Sequence, residues 1–402
     1  MDTVLLGAGE LSGDLLREPH AVYARLRERG PVHWVRLPDG QEMWLVVGYE
    51  VARAALADAR LSKDLTKIGA SSFDQEFLGP HLLVSDPPQH TRLRRLVSKE
   101  FTPRRVEAMA GGVHRQVAEL LDSMQARGRA DLVEDFAFPL SIGVICELLG
   151  VPAMDRESFR GWSNAINAPI GLAEKIAAFG QLKDYLGDLV AAKRAEPGDD
   201  LLSALIRTTD EDSDRLTSAE LRSMAYLLLS AGHETTVNLI SNAVLTLVRH
   251  PDQLTVLLAD LSLVDGAVEE VLRFEGPIES ATFRFALERV EIGGVAIETG
   301  DPVLVTLASA NRDETRFDAP EQFDVRRDGG GHLAFGHGVH YCLGAPLARM
   351  EGRIAIRSLL ERFPGIALDV PFDELSWLPG TLLRGVRSLP VRWSDGITVE
   401  ER

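Results

Sequence analysis

A long apolar stretch, Thr217 to His250, most constrains what this chain can fold into. It predicts one helix of roughly 30 residues, which is on the order of 45 Å at a rise of 1.5 Å per residue. Thr217 and Glu220 have the spacing of a capping box at its start, and Pro251 marks its far end. A helix this long and apolar should run through a core. Together with the other helical stretches and the few short strand patterns along the chain, it predicts a mainly α-helical fold with small β-sheets.

Small and polar residues interrupt this helix in its middle, at AGHETT, residues 231–236. Gly232 lowers helix stability by about 1 kcal/mol relative to alanine, and a buried carboxylate or hydroxyl without a partner costs more. Local rules that are broken inside an element are expected at functional sites. Ala231, Gly232, Glu234 and Thr235 are therefore candidate functional residues. The alternative is that Glu234 faces solvent and the glycine only allows close packing.

A second unusual segment, FGHGVHYCLG, runs from Phe335 to Gly344. A helix is predicted directly behind it, from Ala345 to Phe363, with Pro346 in the first turn, where proline is tolerated. The Cys342 sulfur should therefore lie at a helix N-terminus, whose N–H groups and positive dipole end stabilise a thiolate. The glycines of the segment let the backbone approach something flat and bulky. The alternative for a lone cysteine is a buried small hydrophobic residue.

Composition narrows the class of protein. The chain has 402 residues and no linker-like or repeated segment, so we expect a single domain over residues 1–402. A net charge of −17 argues against nucleic acid as a partner. Cys342 and Cys146, which we assign to the core, lie far apart and indicate a reducing compartment. Acidic residues break the apolar run near the N-terminus, so we expect no signal peptide and no membrane anchor. We expect a cytoplasmic protein and assign it as a monomer.

The two unusual segments resemble two motifs of the cytochrome P-450 family of heme-thiolate monooxygenases. Phe335 to Gly344 matches the heme-ligand loop Phe-Gly-x-Gly-x-His-x-Cys-x-Gly at every fixed position, and residues 231–236 match the oxygen-activation motif Ala-Gly-x-acid-Thr. The resemblance covers essentially the whole chain. It implies the soluble bacterial type of this fold, with heme b between the long helix and the cysteine loop, the Cys342 thiolate as axial ligand of the heme iron, and O2 as co-substrate.

The resemblance also assigns roles to single residues. In the long helix, Ala231 and Gly232 open a groove for dioxygen, Thr235 holds hydrogen bonds there, and Glu234 relays protons. The residues that it places in the loop around the heme are Phe335, Gly336 and Gly344.

Four side chains resemble the family's ligands of the heme propionates: His90, Arg94, Arg284 and His340. His90 and Arg94 share one face of a predicted helix with Val97 and Phe101, and arginine and imidazolium suit carboxylates. The alternatives are a solvated basic helix for His90 and Arg94, and a strand-edge arginine in solvent for Arg284.

Glu270 and Arg273 lie three residues apart on one predicted helical face, which is a weak signal because such pairs are common on solvated helices. They match the family's Glu-x-x-Arg, a buried structural pair that braces the heme loop. In the PEQF segment, Gln322 stands where many members carry arginine or histidine. The third partner of this network is therefore left open.

A basic cluster on an otherwise acidic chain is a candidate docking surface: Arg92, Arg95, Lys99, Arg104 and Arg105. In the family, the corresponding face docks an acidic iron–sulfur protein. The chain has no flavin or iron–sulfur motif of its own, so electrons are expected from NAD(P)H through a reductase and a ferredoxin. The alternative is a solvated basic face.

The segments WLVVGY, VSDPP, SALIRTTDED, AGHETTVNLI and GHLAFGHGVHYCLGAPLAR resemble actinobacterial macrolide hydroxylases of the pikromycin/methymycin type. This implies hydroxylation or epoxidation of an unactivated carbon in a macrolide or polyketide. Another hydrophobic substrate, such as a steroid, terpenoid or fatty acid, stays open, because pocket loops vary most. A peroxide-driven heme-thiolate enzyme and a non-catalytic recruitment module on the same fold are the other two classes.

The expected substrate pocket draws on several segments. Its candidate residues are Leu83, Val84, Ile170, Leu228, Ala231, Ser280 and Leu382. An irregular stretch, Leu61 to Val84, is expected to cover the substrate, and its Asp74 and Glu76 face either a cationic amino sugar or solvent. Two shorter patterns predict a hairpin, Pro31 to Leu37 with Met43 to Val47, and a strand, Ser280 to Ala286.

Overall fold

The structure is a computed structural model of the chain. It describes residues 4–5, 16–37, 40–70, 79–99, 101–152, 155, 158–159, 161–162, 165, 172–211 and 216–394. Its α-helices are Pro19–Arg29 (α1), Tyr49–Ala57 (α2), Gln89–Ser98 (α3), Pro103–Gln125 (α4), Phe138–Leu149 (α5), Leu172–Ala195 (α6), Leu201–Glu211 (α7), Ser218–Arg249 (α8), Pro251–Ala259 (α9), Val264–Glu275 (α10), Leu307–Ala310 (α11) and Ala345–Arg362 (α12).

The described strands are two to five residues long, and they contain far fewer residues than the helices, as the sequence predicts. They are Val4–Leu5 (β1), Val32–Arg36 (β2), Glu42–Val46 (β3), Leu61–Ser62 (β4), Arg129–Asp131 (β5), Arg284–Ala286 (β6), Val290–Ile292 (β7), Val295–Ile297 (β8), Pro302–Val305 (β9), Ala367–Leu368 (β10) and Pro390–Arg392 (β11). None of the described helices has the length and apolar character needed to cross a membrane.

The residues divide by their contacts into two compact units whose segments alternate along the chain. The first, which we call the mixed unit, comprises Met1–Lys63, Val117–Ala137 and Thr235–Arg402. The second, which we call the helical unit, comprises Asp64–Gln116 and Phe138–Glu234. Every described strand lies in the mixed unit. Neither unit is a continuous piece of chain, and a single domain over residues 1–402 remains a prediction.

A six-stranded sheet in the order β1-β2-β3-β9-β6-β4 forms the centre of the mixed unit. The predicted hairpin is confirmed, because β2 and β3 pair antiparallel with Trp34 opposite Trp44. The centroids of these two indole rings lie 5.2 Å apart in an edge-on arrangement. Gly40 in the turn has a φ of +88°, whereas Asp39 lies outside the described residues. The parallel pairing of β3 with β9 then joins the hairpin to the later part of the chain.

The predicted long helix is confirmed as α8, and Pro251 begins the next helix. Its capping box is also present. The Thr217 N–H donates to Glu220 Oε2 at 2.8 Å, and the Glu220 N–H donates to Thr217 Oγ1 at 3.1 Å. Residues 236–247 of the helix are all buried in the mixed unit. A long core helix therefore leads directly into the AGHETT segment.

Some local predictions were wrong in extent. The strand predicted from Ser280 to Ala286 covers only β6, because Ser280 makes a single isolated bridge to Thr306 before the ladder begins. The stretch from Leu61 to Val84 is not irregular throughout: it contains β4 and two 3₁₀ helices, Leu65–Ile68 and Leu82–Val84. Residues 71–78, with Asp74 and Glu76, lie outside the described residues.

Candidate active site

Cys342 lies just before the N-terminus of α12, as predicted, and it is exposed. Its backbone N–H donates to the Phe335 carbonyl oxygen at 2.9 Å, which closes the loop. Gly336 and Gly338 have φ values of +72° and +75°, in the region that favours glycine. A Cβ at Gly338 would also lie 3.1 Å from the Leu56 carbonyl oxygen. The loop therefore presents the Cys342 sulfur, whereas Cys146 is buried in the core as predicted.

Arg284 lies beside this loop. It is 3% exposed, so the alternative of a strand-edge arginine in solvent is wrong. Its Nη2 donates to the Leu56 carbonyl oxygen at 3.4 Å, and the same carbonyl oxygen borders Gly338. His340 is half-buried at the end of the short 3₁₀ turn Gly338–His340. The mixed unit thus brings together a thiol, a buried guanidinium and an imidazole.

This set of donors fits an iron-bearing heme. A thiolate at a helix N-terminus is a ligand that iron accepts, and it is stabilised there by the helix dipole. A buried arginine and a nearby imidazole suit the carboxylates of a porphyrin. Gly336 and Gly338, which have positive φ, let the loop turn tightly before the cysteine.

The helical unit contains the first part of the AGHETT segment. Ala231 is exposed, although it lies in the middle of a long helix. A Cβ at Gly232 would lie 2.7 Å from Cδ1 of Ile145, so this glycine allows α8 to pack closely on α5. His233 is buried, its Nδ1 donates to the Leu229 carbonyl oxygen at 2.8 Å, and its ring packs edge-on against Phe138. Packing therefore explains Gly232 and His233, while Ala231 remains on an open face.

Glu234 is neither fully exposed nor an ordinary carboxylate. Its side chain is 24% exposed, and its Oε1 lies 4.0 Å from Nε2 of His233. Burial raises the pKa of Glu234 to about 7, and it lowers the pKa of His233. At neutral pH the Glu234 carboxyl is therefore populated in both protonation states, as a group that passes protons should be. Thr235, the next residue, is half-buried.

The two predicted propionate ligands of the helical unit lie on α3. His90 is 2% exposed and Arg94 is half-buried, four residues apart on one face. A solvated basic helix is therefore wrong for this face. Phe101 was expected on the same face, but it lies beyond the helix, which ends at Ser98.

Two members of the predicted basic cluster, Arg92 and Arg105, are partly buried beside carboxylates. Arg92 is paired with Glu220, which also accepts from the Gln89 side chain at 2.9 Å, so this arginine fastens α3 to the start of α8. Nη2 of Arg105 lies 3.8 Å from Oδ1 of Asp199. Arg95, Lys99 and Arg104 are the exposed members of the cluster.

Glu270 and Arg273 on α10 form a fully buried, two-pronged ion pair. Arg273 Nε donates to Glu270 Oε2 at 2.7 Å, and its Nη2 donates to Oε1 at 2.8 Å. The remaining guanidinium hydrogens bind backbone carbonyl oxygens of Asn311, Pro320 and Gln322 at 2.9 to 3.2 Å. The Gln322 side chain is therefore not needed, because its main chain makes the contact.

Sequence reasoning missed the third charged member of this network, Arg327. Its Nε donates to Glu270 Oε1 at 3.1 Å. Its other nitrogens donate to the carbonyl oxygens of Asp318, Ala319 and Gln322 at 2.7 to 3.1 Å. The available signal was an arginine five residues after Gln322, in the irregular segment that leads to the cysteine loop.

The predicted pocket residues fall in both units. In the helical unit, Leu83, Val84 and Leu228 are half-buried and Ala231 is exposed. In the mixed unit, Leu382 is exposed, at 43%, but Ser280 is fully buried. Ser280 is buried at its bridge to Thr306, and its place in the pocket stays a prediction. Ile170 lies outside the described residues.

A mainly helical fold with a cysteine loop of this kind defines the class of heme-thiolate proteins. Comparison with known proteins identifies its family. The family model described as Cytochrome P450 matches residues 12–167 and 160–367. The chain belongs to the cytochrome P450 family. It is a monooxygenase, and heme iron and O2 take part in its chemistry.

Individual relatives agree with this family. Cytochrome P450 monooxygenase PikC of Streptomyces venezuelae is 54% identical over 395 residues, which are 98% of this chain and 95% of that protein. The 6-deoxyerythronolide B hydroxylase of Saccharopolyspora erythraea is 47% identical over 387 residues, 93% of this chain and 95% of that protein. The solved structure of the tirandamycin C-bound P450 monooxygenase TamI has a TM-score of 0.87 at 48% identity, and covers 94% of this chain and 98% of that chain.

Proposed function

We propose that this monooxygenase hydroxylates or epoxidises an unactivated carbon of a macrolide or related polyketide. The main support for oxygenation is Cys342, which is exposed at the start of α12. Glu234, the residue before Thr235, adds to this because its pKa is raised. The substrate class is supported by the relatives, since one is named for a hydroxylase of 6-deoxyerythronolide B and another was solved with tirandamycin C bound.

We propose heme b as the cofactor, with Cys342 as its axial ligand. When bound, it supplies the reductive activation of dioxygen at a thiolate-ligated iron. The side chains proposed to hold its propionates are His90, Arg94, Arg284 and His340, and Phe335, Gly336 and Gly344 would shape the loop beside it. Thiolate, cations and glycines are the residue types that such a group requires.

The proton route is proposed to run along α8. Because the pKa of Glu234 is raised to about 7, this carboxyl can take a proton from solvent and release it again near neutral pH. The Thr235 hydroxyl follows it in the chain and can accept that proton while donating its own. Ala231, which has no side chain beyond Cβ and is exposed, leaves room beside this route.

Thr235→Ala is expected to divert reducing equivalents from product to hydrogen peroxide, because the hydroxyl that passes protons is lost. We expect product formed per NADPH consumed to fall by roughly tenfold or more, as for loss of a general acid–base group. Assays of product, NADPH and hydrogen peroxide measure this. Thr246→Ala is the control, since Thr246 is a buried threonine on the same helix. Unchanged coupling in Thr235→Ala would refute the assigned role.

Electrons are proposed to come from NAD(P)H through a reductase and an acidic ferredoxin that docks on Arg95, Lys99 and Arg104. We further propose a cytoplasmic monomer. Turnover with hydrogen peroxide but not with NADPH, reductase and ferredoxin would favour the peroxide-driven class instead.

A heme difference-spectrum titration tests the substrate class. The ligands are macrolides and macrolactones, with steroids, terpenoids and fatty acids as comparison sets. Saturable shifts toward high spin with macrolides alone are expected, because a fitting substrate displaces water from the iron. Shifts only with steroids, terpenoids or fatty acids would overturn the macrolide assignment and leave the monooxygenase class intact. Purified protein that takes up no heme even after supplementation would count against the role of Cys342 and revive a non-catalytic module.

A further inference from the structure

A cluster of three side chains lies directly behind the cysteine loop in the mixed unit: Glu269 on α10, Arg349 on α12, and His332 in the segment between. Arg349 Nε donates to Glu269 Oε1 at 2.7 Å, and its Nη2 donates to Oε2 at 2.9 Å. Two parallel bonds of this kind fix the guanidinium in a plane. The Glu269–Arg349 pair is therefore a rigid brace between two helices.

His332 holds the carboxylate of this brace from the other side. The Ala334 N–H donates to His332 Nδ1 at 3.2 Å, so Nδ1 must accept. The neutral ring then carries its hydrogen on Nε2, which donates to Glu269 Oε2 at 3.1 Å. These bonds and the ion pair lower the pKa of Glu269 to about 2 against the effect of burial, so the carboxylate is charged throughout the neutral range.

The brace contacts the loop through aromatic rings. The guanidinium carbon of Arg349 lies 4.5 Å from the centroid of the Phe335 ring, at a distance where a cation and a ring attract each other. Hydrogen bonding to Glu269 raises the pKa of Arg349, and the neighbouring Tyr341 adds to this effect. Phe335 accepts the hydrogen bond from the Cys342 N–H, and Tyr341 is the residue before Cys342. A fixed positive charge therefore lies against the Phe335 ring of the loop that carries Cys342.

We propose that Glu269, Arg349 and His332 are positioning residues, here called the proximal clamp, that fix Phe335 and Tyr341 around Cys342 and thereby set the reduction potential of the heme. This inference rests on the proposed role of Cys342 as the iron ligand. Reduction adds one electron to the group that Cys342 binds, so a nearby positive charge favours the reduced form and a nearby negative charge opposes it. The clamp places one of each behind the loop, with the cation against the Phe335 ring.

Two substitutions should therefore shift the potential in opposite directions. Arg349→Gln removes the cation and should lower the midpoint potential, while Glu269→Gln removes the anion and should raise it. We expect three- to tenfold changes in the reduction equilibrium, and tenfold corresponds to 59 mV for one electron. Arg349→Lys keeps the charge but cannot form the planar fork, so it should lower the midpoint potential by less than Arg349→Gln does. Spectroelectrochemical titration with dithionite as the reductant measures all three.

The chain offers a matched control on the same two helices. Arg353 and Asp265 form an ion pair at 3.1 Å whose side chains are 40% and 70% exposed. Arg353→Gln and Asp265→Asn make the same changes of charge away from Phe335 and should leave the potential unchanged.

The outcomes separate the clamp from the proposed function. The ferrous–carbon monoxide spectrum of the unsubstituted protein reports whether a thiolate binds the iron. If it does, and both clamp variants match the controls in potential, the clamp is overturned alone. If both variants shift in the same direction, the charge argument is overturned. If the unsubstituted protein lacks the thiolate spectrum, the assignment of Cys342 and the clamp both fail. Glu269→Gln, which keeps the size of the side chain, remains measurable if Arg349→Gln binds heme poorly.

Discussion

Replacing Cys342 by serine is expected to abolish oxygenation while leaving the chain folded. The sulfur is exposed at the start of α12, so its removal leaves no cavity in the core. A hydroxyl ionises far less readily than a thiol, so serine does not replace a thiolate ligand. Mutation of residues that only hydrogen-bond to a metal ligand typically lowers metal affinity or activity by about 10–100-fold. Loss of the ligand itself should therefore lower activity by more than about 100-fold. Product assays with saturating reductant, and the ferrous–carbon monoxide spectrum, measure the loss.

Cys146→Ala is the matched control for Cys342→Ser. Cys146 is fully buried among the apolar residues of α5, so its truncation should reduce stability but retain the thiolate spectrum and turnover. Retention of the thiolate spectrum in Cys342→Ser, or its loss in Cys146→Ala, would contradict the assignment of the ligand.

Glu270→Ala is expected to have the largest effect on stability. It removes the carboxylate that Arg273 binds at 2.7 and 2.8 Å and that Arg327 binds at 3.1 Å. Removal of one partner from a buried ion pair costs about 3–5 kcal/mol, because the remaining charge is left uncompensated. That is a large part of the 5–15 kcal/mol typical of a native protein. Urea unfolding followed by circular dichroism measures the change.

Glu298→Ala supplies the comparison for this prediction. Glu298 pairs with Arg289 at 3.1 Å, but both side chains are more than half exposed, so we expect a change below about 1 kcal/mol. An equally small change in Glu270→Ala would show that the network does not brace the mixed unit. Arg327→Ala should fall between the two, since Arg327 contributes one of four hydrogen bonds to this carboxylate and is itself partly exposed.

The sequence was sufficient for features that depend on neighbours along the chain. The length and capping of α8, the hairpin of β2 and β3, and the position of Cys342 before α12 all follow from local spacing. They could be predicted because helix caps, turns and periodicity are set within a few residues.

What could not be predicted depends on residues far away in the chain. Arg92 was assigned to a docking surface, but it pairs with Glu220, 128 positions later. Ser280 was assigned to the pocket, and its complete burial was not visible in the sequence. Arg327 reaches Glu270 from an irregular segment, where no periodicity indicates the direction of a side chain. In each case tertiary packing decides, and a single sequence does not display it.

The parallel pairing of β3 with β9 has a consequence for synthesis on the ribosome. The Trp44 indole donates to Asp301 across 257 positions of the chain, and Ser388 donates to Asp131 across the same separation. At about 5–20 residues per second, the open edge of β3 waits roughly 13–50 s for its partner strand to emerge. An unpaired strand edge is a template for association with other chains. The open edge of the newly made hairpin therefore needs protection until β9 has emerged from the ribosome.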